Sequence, residues 1–131
     1  MSIIQTMDHF TIVTADLPAT RYFYQGLGLV SGPRPDFPVP GLWLYANGKA
    51  LLHVIEVREA DMPTPRRGVL DHMAFWGQDL IGTVEWIGSR GIAHRLVRAP
   101  KPFRTWQLFF LDPNGVEVEI DFDPSEPAPA R

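Results

Sequence analysis

The chain of 131 residues, 45% hydrophobic and 21% charged, is long enough to bury about two-thirds of its unfolded surface around one real core, which excludes a disordered protein. A net charge of −3 with scattered basic residues, apart from the pair Arg66-Arg67, excludes the footprint of a nucleic-acid binder and argues against an anionic membrane surface as partner. The absence of cysteine excludes disulfides and thiolate chemistry, so a metal site must draw on His, Asp, Glu or backbone oxygen, a donor set suited to hard or borderline divalent ions.

Taken in order, residues 7 to 13 alternate as a strand, with Phe10 and Ile12 on one face and Met7, His9, Thr11 and Val13 on the other. Asp16 is a helix N-cap, Pro18 fits a first helical turn, and Gly26 or Gly28 ends the helix. A short strand follows at Leu29 to Ser31. Four prolines between Gly32 and Gly41 then impose a stiff loop. Leu42 to Tyr45 and Lys49 to Val57 form a hairpin, because Asn47-Gly48 supplies positive φ at the turn; His53 lies inside its second strand on the face of Leu51 and Ile55.

Residues 58 to 68 are a polar, proline-containing connection, after which the pattern restarts. A strand at Leu70 to Trp76 leads to an N-cap at Asp79, a helix at Leu80 to Arg90 and a stop at Gly91. Strands follow at Ala93 to Val97, Thr105 to Leu111 and Val116 to Phe122, the last two joined by Asp112-Pro113-Asn114-Gly115. The proline-rich tail from Asp123 is expected to fray. With no basic-then-apolar leader and no apolar run of membrane-span length, a cytoplasmic protein is expected.

The restart is a repeat. His9 and His72 lie 63 residues apart, and the same offset relates Asp8 to Asp71, Asp16 to Asp79, Leu17 to Leu80, Thr20 to Thr83 and Gly28 to Gly91. Six ungapped identities, where average usage gives about one, indicate a structural duplication. The hairpin turns also correspond, LYANG with LDPNG, although His53 lies five residues beyond Gly48 and Glu119 four beyond Gly115. Each half reads strand, helix, three strands, with polar candidates in its first and last strands.

MDHFTIVTADLPATRYFYQGLGL, LWLYANGKALLHVIE, LDHMAFWGQDL and WQLFFLDPNGVEVEIDF together resemble the vicinal oxygen chelate superfamily, which includes glyoxalases, extradiol dioxygenases and bleomycin resistance proteins. The resemblance covers almost the whole chain. It implies an α+β fold in which two βαβββ modules, about residues 6–57 and 69–122, build a half-open mixed sheet barrel with helices outside, in one domain spanning 1–131.

It also implies a divalent metal, Fe, Mn, Ni, Zn or Co, held by His9, His53, His72 and Glu119. Glu119 is preferred to Glu117 for its distance from the DPNG turn, since Glu117, Glu119 and Asp121 all share one strand face. His53 is open to three roles: fourth ligand, base, or structural group. With it, the set resembles glyoxalase and epimerase sites and implies lyase or isomerase chemistry, with His53 and Glu119 catalytic; without it, an Fe(II) extradiol dioxygenase. A metal-free drug- or metabolite-binding protein is the alternative outside enzymes. Trp43, Arg104, Gln107 and Phe109 are the pocket candidates, Arg104 as a receiver of a substrate carboxylate or as a salt-bridged surface residue. The expected partners are a small molecule and a second copy of the chain, with neither nucleic acid nor membrane.

Overall fold

The computed structural model describes residues 3–64 and 68–130; the basic pair Arg66-Arg67 lies outside the described residues. The chain divides into two compact units, Met1–Thr64 and Pro65–Arg131. In the first, β1 (Phe10–Thr14), α1 (Leu17–Gly26), β2 (Val30–Gly32), β3 (Gly41–Ala46) and β4 (Lys49–Glu56) make a four-stranded sheet of order β1-β4-β3-β2. In the second, β5 (Met73–Trp76), α2 (Leu80–Ser89), β6 (His94–Arg98), β7 (Trp106–Leu111) and β8 (Glu117–Phe122) repeat it as β5-β8-β7-β6. Each sheet is mixed: the first strand runs parallel to the last, and the remaining pairs are antiparallel. This is the βαβββ plan of an α+β fold. No helix among the described residues is long and apolar enough to cross a membrane.

The repeat extends to individual bonds. Asp16 Oδ1 accepts from Ala19 N at 3.0 Å and Asp79 Oδ1 from Gly82 N at 3.1 Å, each satisfying a free amide of a first helical turn. Thr20 and Thr83 each donate a hydroxyl to the carbonyl of their own cap residue, at 2.9 and 2.8 Å. Gly82 has a local reason: a Cβ there would collide with the Asp79 carboxylate.

In unit 1 the sheet face formed by Ile12, Thr14, Leu44, Leu52 and Val54 is buried, and α1, which packs against β2, β3 and β4, contributes buried Thr20, Phe23 and Tyr24 to that core. In unit 2 the corresponding face carries Met73, Leu108, Phe110, Val118, Ile120 and Phe122, with Leu80 and Ile87 buried from α2. Each of the fully buried apolar side chains contributes about 1.5–3 kcal/mol. The other face of each sheet stays partly open, and it carries the polar candidates.

Three expectations change. β1 and β5 begin at Phe10 and Met73, so His9 and His72 stand where the chain runs into the sheet, not inside a strand. Leu51 does not share the regular alternation of His53, because β4 has a bulge: Leu44 pairs with Leu52 but Tyr45 pairs with Ala50, leaving Leu51 over. The start of the tail is not frayed. Glu126 Oε1 accepts from the Leu80 amide at 2.7 Å at the N-terminus of α2, its carbonyl accepts from Trp106 Nε1 at 2.9 Å, and Arg98 donates to the Pro124 carbonyl. These bonds use amide and indole donors that would otherwise lack partners once α2 and β7 are packed.

Candidate functional site

In both units the parallel strand pair places the residues of interest. Thr11 lies opposite His53, and Ala74 lies opposite Glu119. Residues two apart in an extended chain share a face, so His9 and His53, like His72 and Glu119, become diagonal neighbours on the open face. On the third side, Trp43 pairs with His53 and Phe109 with Glu119. His53 and Glu119 are therefore equivalent positions despite their unequal distances from the two turns. The spans 43 to 53 and 109 to 119 are equal; unit 1 turns one residue earlier, and the bulge at Leu51 restores the alternation.

The two diagonals have different chemistry. In unit 1, His9 and His53 stack with centroids 3.6 Å apart and planes 12° from parallel, and Trp43 stacks on the other face of His53 at 3.9 Å. Partial burial, followed by the neighbouring His9, holds His53 below the ordinary histidine value, which favours the uncharged ring. In unit 2, His72 Nε2 stands 3.0 Å from Glu119 Oε1, and Phe109 meets the His72 ring edge-on at 6.0 Å. Gln107 Nε2 donates to the second Glu119 oxygen at 3.4 Å. The Asp71 hydrogen bond, and then Glu119, raise His72 above its ordinary value.

A metal ion fits the unit 2 pair on the chemistry of its donors. Two ligands at about 2.1 Å from one ion, at right angles, stand about 3 Å apart, which is the separation of His72 Nε2 from Glu119 Oε1. Glu119 is buried, so its carboxylate requires a positive partner. Asp71, His72 and Glu117 can also each bring a donor atom to within 4.8 Å of one another. In that group, however, Asp71 already accepts at His72 Nδ1 at 2.8 Å, and Glu117 lies 3.5 Å from Arg95. The His72–Glu119 pair is therefore the better-directed donor set.

Asp121 completes the row of carboxylates. Burial, and next the adjacent Glu119, push it up to about 7, and its Oδ1 is buried without a hydrogen-bond partner among the described residues. An acid raised in the folded state is deprotonated first in the unfolded chain, so its contribution to stability is intact below about pH 4 and is lost as pH rises towards 7. In metal-free protein, Asp121→Asn is expected to gain about 1 kcal/mol over wild type near pH 8 and nothing near pH 4, the full shift being discounted for the side chain's partial exposure. Urea unfolding at the two pH values measures it; an equal effect at both would contradict the assignment.

The open face of unit 2 thus gathers His72, Gln107, Phe109 and Glu119 from the sequence candidates. Arg104 is the remaining pocket candidate of this unit. It is exposed in the loop before β7 with φ 56°, and its carbonyl accepts from Arg98 Nε at 3.1 Å. The arginine at the cluster is Arg95, whose guanidinium lies 4.0 Å over the Phe109 ring. Sequence reasoning missed it because its place depends on the pairing of Arg95 with Phe109 across β6 and β7. His94, on the opposite face of β6, bonds the Ile92 carbonyl through Nδ1 at 3.0 Å.

No family profile and no curated protein matches the chain. Solved structures do. A glyoxalase family protein from Bacillus anthracis superposes with a TM-score of 0.73 at 19% identity, covering 94% of this chain and 98% of its own. The glyoxalase family protein from Enterococcus faecalis gives 0.68 at 21% identity, over 92% and 99% of the two chains. Lactoylglutathione lyase from Agrobacterium tumefaciens gives 0.64 at 20% identity, over 92% and 96%. With two βαβββ units in sequence and these neighbours in structure, the chain has the fold of the glyoxalase family proteins it superposes on.

Proposed function

We propose that the chain is a metal-dependent enzyme that acts, by glyoxalase-like lyase or isomerase chemistry, on a small molecule binding the ion through two adjacent oxygens. One observation carries this reading: His72 Nε2 and Glu119 Oε1 face each other at ligand spacing, on a sheet face left open by the helix. A divalent ion bound there supplies Lewis acidity to the negative charge that develops on the substrate oxygens. Glu119 would hold the ion together with His72, leaving the oxygen that Gln107 keeps in place to exchange the substrate proton. Phe109 supplies an apolar wall beside His72, and Arg95 above it offers a cation to an anionic substrate group.

The test is metal content after repletion, for wild type and His72→Ala, followed by assay of the loaded wild type with α-dicarbonyl and α-hydroxycarbonyl compounds. Stoichiometric metal in wild type alone, with turnover, supports the reading. Equal, negligible metal in both removes it.

A second reading, an Fe(II) extradiol-type dioxygenase, is favoured by the stack in unit 1. Imidazole lone pairs lie in the ring plane, and planes 12° from parallel with centroids 3.6 Å apart do not meet on one ion at bonding distance. As stacked, His9 and His53 do not serve one ion together, and a set with one histidine fewer is the type used by non-haem iron oxygenases. Anaerobic iron loading followed by oxygen uptake with catechols separates the readings. Bound iron without uptake counts against the second.

A further inference from the structure

We infer that Asp71 and Asp8 are positioning residues that fix the tautomer and ring orientation of His72 and His9, so that Nε2 is the nitrogen presented to a metal. The inference rests on the metal-binding reading above but has its own readout. Asp71 Oδ2 lies 2.8 Å from His72 Nδ1, and Asp8 Oδ2 lies 2.6 Å from His9 Nδ1. A carboxylate only accepts, so a nitrogen facing it carries a proton: in His72 this holds for Nδ1 against Asp71 and, without metal, for Nε2 against Glu119, and an ion bound beside Glu119 would displace the Nε2 proton alone while Asp71 keeps the one on Nδ1. Outer-sphere carboxylates of this kind orient metal-bound histidines and raise their basicity.

The location supports a built device over a chance surface contact. Side chains of adjacent residues in a regular strand point to opposite faces, so an i, i+1 pair does not close there. Both pairs precede their strands, at Asp8-His9 before Phe10 and Asp71-His72 before Met73, where the backbone is free of the sheet ladder. Both aspartates are exposed, and an isolated exposed ion pair is weak and variable in geometry. Here the same atoms, Oδ2 and Nδ1, meet at the same point of both copies.

The experiment uses the full-length chain with Zn²⁺ and Co²⁺ in chelator competition, and nitrogen NMR of the histidine rings at about pH 9 in metal-free protein carrying Glu119→Ala, which removes the competing carboxylate from Nε2. With Asp71 intact in that background, His72 should be the Nδ1–H tautomer. Asp71→Ala should shift the ring towards Nε2–H and weaken metal binding about 10- to 100-fold. Asp71→Asn, whose amide oxygen still accepts, should recover most of both. Because Asp71 is exposed, the urea midpoint of Asp71→Ala should match wild type, so a loss of affinity is not a loss of fold. An unchanged tautomer in Asp71→Ala, or affinity within twofold of wild type, overturns the inference. If wild type itself binds neither ion, the metal reading fails, and the tautomer measurement alone decides the role of Asp71.

Discussion

His72→Ala and Glu119→Gln are each expected to weaken divalent metal binding by at least about a hundredfold, on the order of 3 kcal/mol for one inner-sphere donor. The cause differs between them. His72→Ala deletes a nitrogen that faces Glu119 at 3.0 Å and leaves the buried carboxylate without its cation. Glu119→Gln keeps shape and packing but replaces an anionic donor with a neutral amide. Glu117→Gln provides the contrast, since Glu117 is engaged with Arg95, and it should lie within about threefold of wild type. Competition titrations give all three values, and a Glu117 effect as large as that of Glu119 would move the site one pleat along β8. The pH dependence has a definite sign. Asp71 and Glu119 raise His72, and its proton must leave before the nitrogen binds an ion, so affinity falls as pH drops through the His72 transition.

The second large effect concerns stability. Leu108 is fully exposed to the core and not at all to solvent, between Gln107 and Phe109 on β7 and opposite Ile120 on β8. Leu108→Ala removes buried methyl groups and leaves a cavity, at a cost of about 2–5 kcal/mol. That is a large fraction of the total stability of a domain of this size. Leu111→Ala, on the same strand but exposed, should change stability by less than about 0.5 kcal/mol. Urea or thermal unfolding of the pair measures the contrast. Since alternate residues of β7 are Gln107 and Phe109, the Leu108 variant is also expected to loosen the contact of Gln107 with Glu119, seen as weaker metal binding at temperatures where the protein remains folded.

What the sequence revealed, and what it hid, follows from the range of the interactions involved. Both helix caps were readable because Asp16 and Asp79 act within their own first turns. The hairpin turn was readable because Asn47 and Gly48 adopt φ of 52° and 76°, which few other residues tolerate. The repeat was readable because six identities keep one spacing. Asp8 and Asp71 were visible as part of that repeat, but only three-dimensional geometry shows their carboxylates turned onto the histidine rings. Arg95 and the packed Glu126 were hidden for the same reason: one depends on strand register, the other on contacts 46 residues apart in sequence. Alternation put Glu117, Glu119 and Asp121 on one face and left them equivalent; proximity to His72 distinguishes them.

The bulge at Leu51 bears on how two copies of one hairpin stay in step although their turns are placed differently. One residue added to a regular strand turns every later side chain to the opposite face. Here the addition is confined between Ala50 and Leu52, and from Leu52 onward the pairing is back in step, with His53 opposite both Thr11 and Trp43. Yet 43 to 53 and 109 to 119 are equal spans, so the two hairpins have the same length: unit 1 turns one residue earlier, and the bulge returns its chemically important strand to alignment. A turn displaced by one position along its hairpin is compensated by such a kink, and comparison of the two halves by counting from the turn will misalign them by one. Counting back from the parallel strand pair will not.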